Sequence, residues 1–194
     1  MIFPTAYFPP ISYISRCIAA GNIIVEQHEH FIKQTYRNRC HIYNSNGMLP
    51  LVMPVEHNDL FKKPIKDVRI SFGQEWKKNH WRSICSAYKN APFFEFIEDE
   101  LSTAFHTPSK YLLEFNTLLL KSICAIAKLN LTIGFTESYS ENIFPENDLR
   151  HSFHPKRPSP FSGPVYHQVF EDKHGFIPDL SCLDLLVNEG SLRP

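Results

Sequence analysis

Short extended runs of apolar residues alternate with longer stretches spaced for helices. Ile2 to Phe8 predicts a short strand stopped by Pro9-Pro10. Ile11 to Ala20, apolar at 11, 14, 18 and 19, predicts a helix ended by Gly21. Ile23-Ile24-Val25 is β-branched and brief, a buried-strand pattern, so the chain opens as β-α-β, the signature of parallel strands with a crossover helix. Residues 33 to 43 and Leu49 to Val55 predict a hairpin about a turn at Asn44 to Gly47. Val68 to Phe72 predicts another strand after a polar loop from 56 to 67.

Three helices follow. Gln74 to Lys89 carries Trp76, His80, Ile84 and Ala87 or Tyr88 on one stripe. Phe93 to Phe105 carries Phe93, Phe94, Ile97, Leu101 and Phe105. Lys110 to Leu129 is apolar over so much of its surface that it is expected at the centre. Residues 130 to 135 predict a last inner strand, and 137 to 165 an irregular, proline-rich loop too long to be mere connection. Tyr166 to Phe170 reads as extended. Ser181-Cys182-Leu183-Asp184 reads as a capping box opening a helix that closes before Gly190. The expectation is a single α/β domain over 1–194, with a mixed, mostly parallel sheet that opens with the β-α-β unit, and three central helices.

Composition narrows the class. A chain of 194 residues buries about 70% of its unfolded surface and needs neither metal nor disulfide to be stable. The five cysteines are odd in number and form no CxxC pair, which fits buried thiols in a cytoplasmic protein. Prolines interrupt the apolar start and no cation precedes Arg16, so no signal peptide is expected. No run of 18 apolar residues predicts a membrane span. Twenty Lys+Arg balance twenty Asp+Glu, against the basic excess of a nucleic-acid binder. The charges are nonetheless segregated. Four cations and no acid stand between Trp76 and Lys89, four acids and no cation between Glu95 and Glu100, and four acids between Glu137 and Asp148. Arg150, Lys156 and Arg157 come next, with His151 and His154 among them.

Candidate chemistry centres on Lys33, Arg37 and Arg39. In an extended segment these share one face with His41, while Asn38, Cys40 and Ile42 face the other. Two guanidinium groups on one face make a receptor for phosphate or carboxylate. The alternative is pairing with Glu26, Glu29 or an acidic loop. Glu26, His28 and His30 would share a face, but without a third fixed ligand they do not define a metal site, and no metal is expected. His80 is either a satisfied core histidine or a general acid/base. Cys40, beside Arg39 and His41, is weighed as a nucleophile and read as structural. No GxGxxG, Walker loop or GxSxG elbow occurs, so no cofactor is expected.

Several blocks together resemble the WbqC-like family. They are Tyr7-Phe8-Pro9-Pro10-Ile11, Glu26-Gln27-His28-Glu29 and Lys33 through Cys40, Asn46-Gly47, Trp76 and His80-Trp81 with Ala87-Tyr88, Pro92-Phe93-Phe94, Asp148-Leu149-Arg150, Gln168-Val169-Phe170, Gly175 to Pro178, and Leu180-Ser181 to Gly190. Where longer relatives have His-Gln-Pro, this chain has Thr5-Ala6-Tyr7. The resemblance implies an association with bacterial O-antigen clusters and, for some members, transfer of glycine to an amino sugar. On that footing the chain is expected to transfer a small acyl or aminoacyl group to an amino sugar, with a small anionic substrate such as a nucleotide sugar as partner. Lys33, Arg37, Arg39 and Arg150 would hold phosphates, Asn38 would position the acceptor, and His80 or Glu29 would take the proton. The competing expectation is a non-catalytic module that binds an anion or a protein.

Overall fold

The computed structural model describes residues 1–56, 63–71, 75–161 and 163–193. Strands β1 (Ile2–Phe3), β2 (Asn22–Val25) and β5 (Thr132–Phe135) form a parallel sheet in the order β1-β2-β5. Helix α1 (Ile11–Ala20) makes the crossover from β1 to β2, as the sequence predicts. Beyond β1 the sheet is extended by a parallel bridge from Ile2 to Asp148. Strands β3 (Arg39–Asn44) and β4 (Gly47–Val52) form a separate antiparallel hairpin. Helices α2 (Trp76–Tyr88), α3 (Phe94–His106) and α4 (Leu112–Ile126) follow, and a one-turn α5 (Glu171–His174) precedes α6 (Cys182–Glu189). The α/β class and the three-helix centre agree with the pattern of the sequence.

Helix α4 buries Leu112, Leu113, Phe115, Leu119, Leu120 and Ile123. The same apolar cluster takes in Tyr7, Phe8 and Ile14 at one end of the sequence and Leu183, Leu186 and Val187 at the other. Aromatic rings knit the helices: Phe8 stacks on Phe105 at 6.0 Å, and Trp76 meets Phe115 edge-on at 5.8 Å. Rings in these offset and edge arrangements add to the burial term.

Five local expectations are corrected. The strand at Ile2 ends at Phe3, because Pro4 follows and the backbone then turns through Phe8 at φ 41°. Strand β2 buries only Ile23 and Val25 and leaves Ile24 41% exposed, so one face of the sheet is open. Residues 33–38 are turns rather than strand, with Gln34 at φ 60°, so Lys33 and Arg37 share no strand face with Arg39. Val68 to Phe72 supplies only single bridges at Arg69 and Ile70, and Phe72 lies outside the described residues. Tyr166 to Phe170 forms no strand. Gln168 instead ties that segment down, donating to the Ile177 carbonyl and accepting from its N–H.

Half of the capping box at Ser181 is present. Its hydroxyl accepts from the Leu183 N–H, whereas the Ser181 N–H goes to the His41 carbonyl rather than to Asp184. The Asp184 carboxylate is buried and accepts from the Tyr166 hydroxyl at 2.5 Å. Burial raises its pKa to about 6, against the lowering effect of its hydrogen bonds. Folding therefore favours the protonated acid. That contribution is complete below the unfolded value of about 4 and is lost as pH rises through about 6. Urea melts of wild type and Asp184→Asn should show the wild type losing ground to the variant between about pH 4 and pH 7. A pH-independent difference would refute the burial of this acid.

Candidate functional site

In open α/β sheets, ligands collect beyond the carboxyl ends of the strands, and here every such end carries a buried polar residue. Glu26 follows β2, Thr136 follows β5, Thr5 follows β1, and Arg150 follows the Asp148 bridge; all four are buried. They form a connected network. Arg37 grips Glu29 with two parallel bonds, Nε to Oε1 at 2.8 Å and Nη2 to Oε2 at 2.6 Å. Its Nη2 also donates to the Arg150 carbonyl at 3.1 Å. Arg150 forks onto Asp148, Nε to Oδ1 at 2.8 Å and Nη2 to Oδ2 at 2.7 Å, and its Nη1 reaches Glu26 Oε2 at 3.3 Å. Glu26 Oε1 accepts from the His28 N–H and the Thr136 hydroxyl, each at 2.8 Å. Helix α4 joins through Asn116, whose Nδ2 donates to Thr5 Oγ1 and to the Arg37 carbonyl. Hydrogen bonding from Arg150 holds the Asp148 carboxyl below its ordinary range.

Three recesses open around this network, and residues 28–41 contribute to all of them. The first, about 490 Å³, is lined by His28, Glu29, His30, Ile32, Tyr139, Glu141 and His151. Nε2 of His28 lies 3.2 Å from the Thr136 carbonyl, which only accepts, so Nε2 is the protonated nitrogen and in the neutral ring Nδ1 carries the lone pair. Tyr139 sets one ring face against the Arg150 guanidinium, 4.7 Å from its centroid, and remains 46% exposed. A second recess, about 260 Å³, includes Phe31, Lys33, Gln34, Asn38 and Arg39. Asn38 is tied to the Met53 carbonyl through Nδ2, while its Oδ1 and Arg39 Nε are buried without a partner among the described residues. The third and largest lies at the start of α1.

The expected site residues are therefore divided. Glu29, Arg37 and Arg150 meet in the ion network, where both arginines are already held by carboxylates, and of the three Glu29 lines the first of these recesses. Lys33, Asn38 and Arg39 share the second recess. His80 stands apart on α2, its Nδ1 2.9 Å from the Tyr7 hydroxyl and its ring against Trp76. Burial pushes its pKa down to about 4, with a backbone contact to Val52 in opposition. Cys40 is fully buried and burial raises its thiol, which suits packing rather than attack. The expected shared face of Glu26, His28 and His30 does not form, because β2 stops at Val25. Among the described residues no three His, Cys, Asp or Glu are grouped to hold a metal. Nor is any described helix long and apolar enough to cross a membrane.

Sequence reasoning passed over Asn116, Thr136, Tyr139 and Glu141, and noted His151 only as a neighbour of the basic cluster. Asn116 left a signal: it is a lone amide on the stripe of α4 that carries Leu112, Leu119 and Ile123. The other four lie in irregular chain, where no periodicity marks a side chain's direction.

The profile of the WbqC-like protein family matches residues 5–147. The chain belongs to the WbqC-like protein family. It is also 26% identical over 229 residues to the uncharacterized protein Rv1507c of Mycobacterium tuberculosis (strain ATCC 25618 / H37Rv), a comparison covering 100% of this chain and 94% of that one. No solved structure matches. The family match ends at Asn147, one residue before the Asp148 and Arg150 half of the ion network of this WbqC-like chain.

Because the unfolded His80 titrates near 6.5 and the folded one near 4, the imidazole is neutral in the folded protein at neutral pH. Two-dimensional NMR of the histidine ring nitrogens should show no titration of His80 between about pH 5.5 and 8. A midpoint above about 6 would mean that the ring is solvated and return it to the candidate bases.

Proposed function

We propose that this chain is a transferase that adds a small acyl or aminoacyl group, such as glycine, to the amine of a nucleotide-linked amino sugar used in bacterial surface polysaccharide. The observation that carries this reading is the first recess, where Glu29, Glu141, three histidines and an exposed tyrosine ring meet at the carboxyl edge of the parallel sheet. Carboxylates attract an ammonium group and accept from sugar hydroxyls. The free face of Tyr139 offers a flat apolar platform for a sugar ring. His28 Nδ1, with its tautomer fixed through Nε2, is the base with a lone pair.

The step balances without a cofactor. The acceptor amine reaches the site as an ammonium and gives one proton to solvent. The free amine then attacks the acyl carbonyl of an activated ester or thioester and forms the N–C bond, while His28 takes the remaining surplus proton. The bond from acyl carbon to leaving group breaks, and His28 returns the proton to that group. Glu29, fixed by Arg37, orients rather than deprotonates, and Lys33 and Arg39 in the neighbouring recess face the phosphates. His80 is a packing residue on this reading.

Incubation with amino-sugar nucleotides and activated glycine or acetyl donors, followed by mass spectrometry, should give an N-acylated sugar. His28→Gln should cut the rate by about a hundredfold or more, and Tyr139→Ala should chiefly raise KM. Absence of any N-acyl product across the panel, or a His28→Gln rate equal to wild type, would leave the non-catalytic reading in its place.

A further inference from the structure

The third recess, about 590 Å³, has an occupant of its own. It lies at the β1-α1 junction, and its lining includes Tyr36, His41 and Asp179 together with Lys156, Arg157 and Phe161. Its size falls within the range of about 300–1,000 Å³ usual for small-molecule sites. The loop that forms one wall is seated closely on α1, since a Cβ on Gly163 would come within 2.9 Å of Ile11 Cγ2.

A helix start beside a cavity suggests an anion, but here Asp179 occupies that position. It accepts from the Ser12 N–H at 2.8 Å and from the Ser12 hydroxyl at 3.0 Å. The backbone of Asp179 is left-handed, at φ 55°, in the conformation that delivers its carboxylate to the helix. An anion must therefore bind elsewhere in the cavity, and the cations on its lining are Lys156 and Arg157, both exposed. Lys156 is held in place by Gln34.

The interior is different. Tyr36 and His41 are 7% and 8% exposed, and their rings meet edge-on at 5.7 Å. Among the described residues neither side chain makes a hydrogen bond. Tyr36 and His41 are more than nine-tenths buried, but their polar atoms open onto the cavity, where water meets them until a ligand with its own donors and acceptors displaces it. An alkyl chain would leave them unmet, and a bare phosphate would stay at the cations. A heteroaromatic ring satisfies them along its edge and packs its faces on the apolar lining, Ile11, Met48, Val165 and Phe176.

We infer that this cavity binds a nucleoside monophosphate unit, with the base against Tyr36, His41 and Asp179 and the phosphate at Lys156 and Arg157. As the nucleoside monophosphate half of the nucleotide-linked acceptor, whose sugar-side phosphate faces Lys33 and Arg39, it rests on the reading above, but the binding itself does not, so each can fail alone. If the cavity takes a nucleotide and no N-acyl product forms, the transferase reading falls and this one stands. If product forms and the nucleotide contacts lie elsewhere, the reverse holds.

Calorimetric titration of the full chain with the monophosphates of uridine, cytidine, thymidine, adenosine and guanosine tests it, with inorganic phosphate and octanoate as controls. At least one nucleotide should bind with a stoichiometry of one. Tyr36→Phe and His41→Leu, which keep the volume and remove the polar edge, should each weaken it by about tenfold. Lys156→Ala/Arg157→Ala should weaken it at least as much and reduce its salt dependence. Val165→Trp, at a position 84% exposed and therefore safe for folding, should block the mouth and abolish binding. The inference is overturned if no nucleotide binds folded protein, if phosphate or octanoate binds as tightly, or if binding survives Val165→Trp unchanged.

Discussion

Arg37 fastens together three stretches of chain that are remote in sequence, two through its guanidinium and one through its carbonyl. Its side chain binds Glu29 beyond β2 and the carbonyl of Arg150 beyond the sheet edge, while its own carbonyl accepts from Asn116 on α4. Both charges of the Arg37–Glu29 pair are at most 4% exposed. Burial at that level costs several kcal/mol per ion and is offset only when every donor and acceptor is met. Here the fork geometry and the Arg150 carbonyl engage Arg37, and the second fork from Arg150 to Asp148 does the same for its neighbour. Breaking one member leaves the others buried and uncompensated, so the carboxyl edge of the sheet behaves as a unit.

That unit explains how a chain with no net charge comes to have differentiated recesses. Three carboxylates and two guanidinium groups are consumed in the network. Other charged groups are sorted to its sides. Glu141 and the histidines border the first recess, and Lys33 and Arg39 the second; Lys156 and Arg157 stand at the third. The segment from His28 to His41 borders all three because it turns back on itself through Gln34 instead of running straight.

Most of the fold was legible because it rests on periodic burial. The observed bounds of α1 are the predicted ones, and those of α2, α3 and α4 lie within a few residues of the apolar stripes. The β-α-β opening follows from β-branched residues after a proline stop and a glycine. The error at residues 33–38 has a definite origin: alternating polar and charged residues look like an exposed strand, but Arg37 turns inward to meet Glu29. Alternation carries no information about a buried ion pair. The sequence marked Glu29, Arg37 and Arg150 as important without distinguishing a receptor for ligand from a pair already made. Tyr139, Glu141, Asp179 and the cavity at α1 were invisible for a simpler reason. They depend on loops whose course is set by single contacts such as Asp179 to Ser12.

A double-mutant cycle on Glu29 and Arg37, read by urea denaturation, measures how strongly the two buried charges depend on each other. Glu29→Gln and Arg37→Met should each cost about 3–5 kcal/mol, because each leaves a buried group unpaired, whereas the double variant should recover at least about 2 kcal/mol of their sum. Additive losses below about 1 kcal/mol each would show the pair to be solvated and the carboxyl edge of the sheet not to be held as a unit.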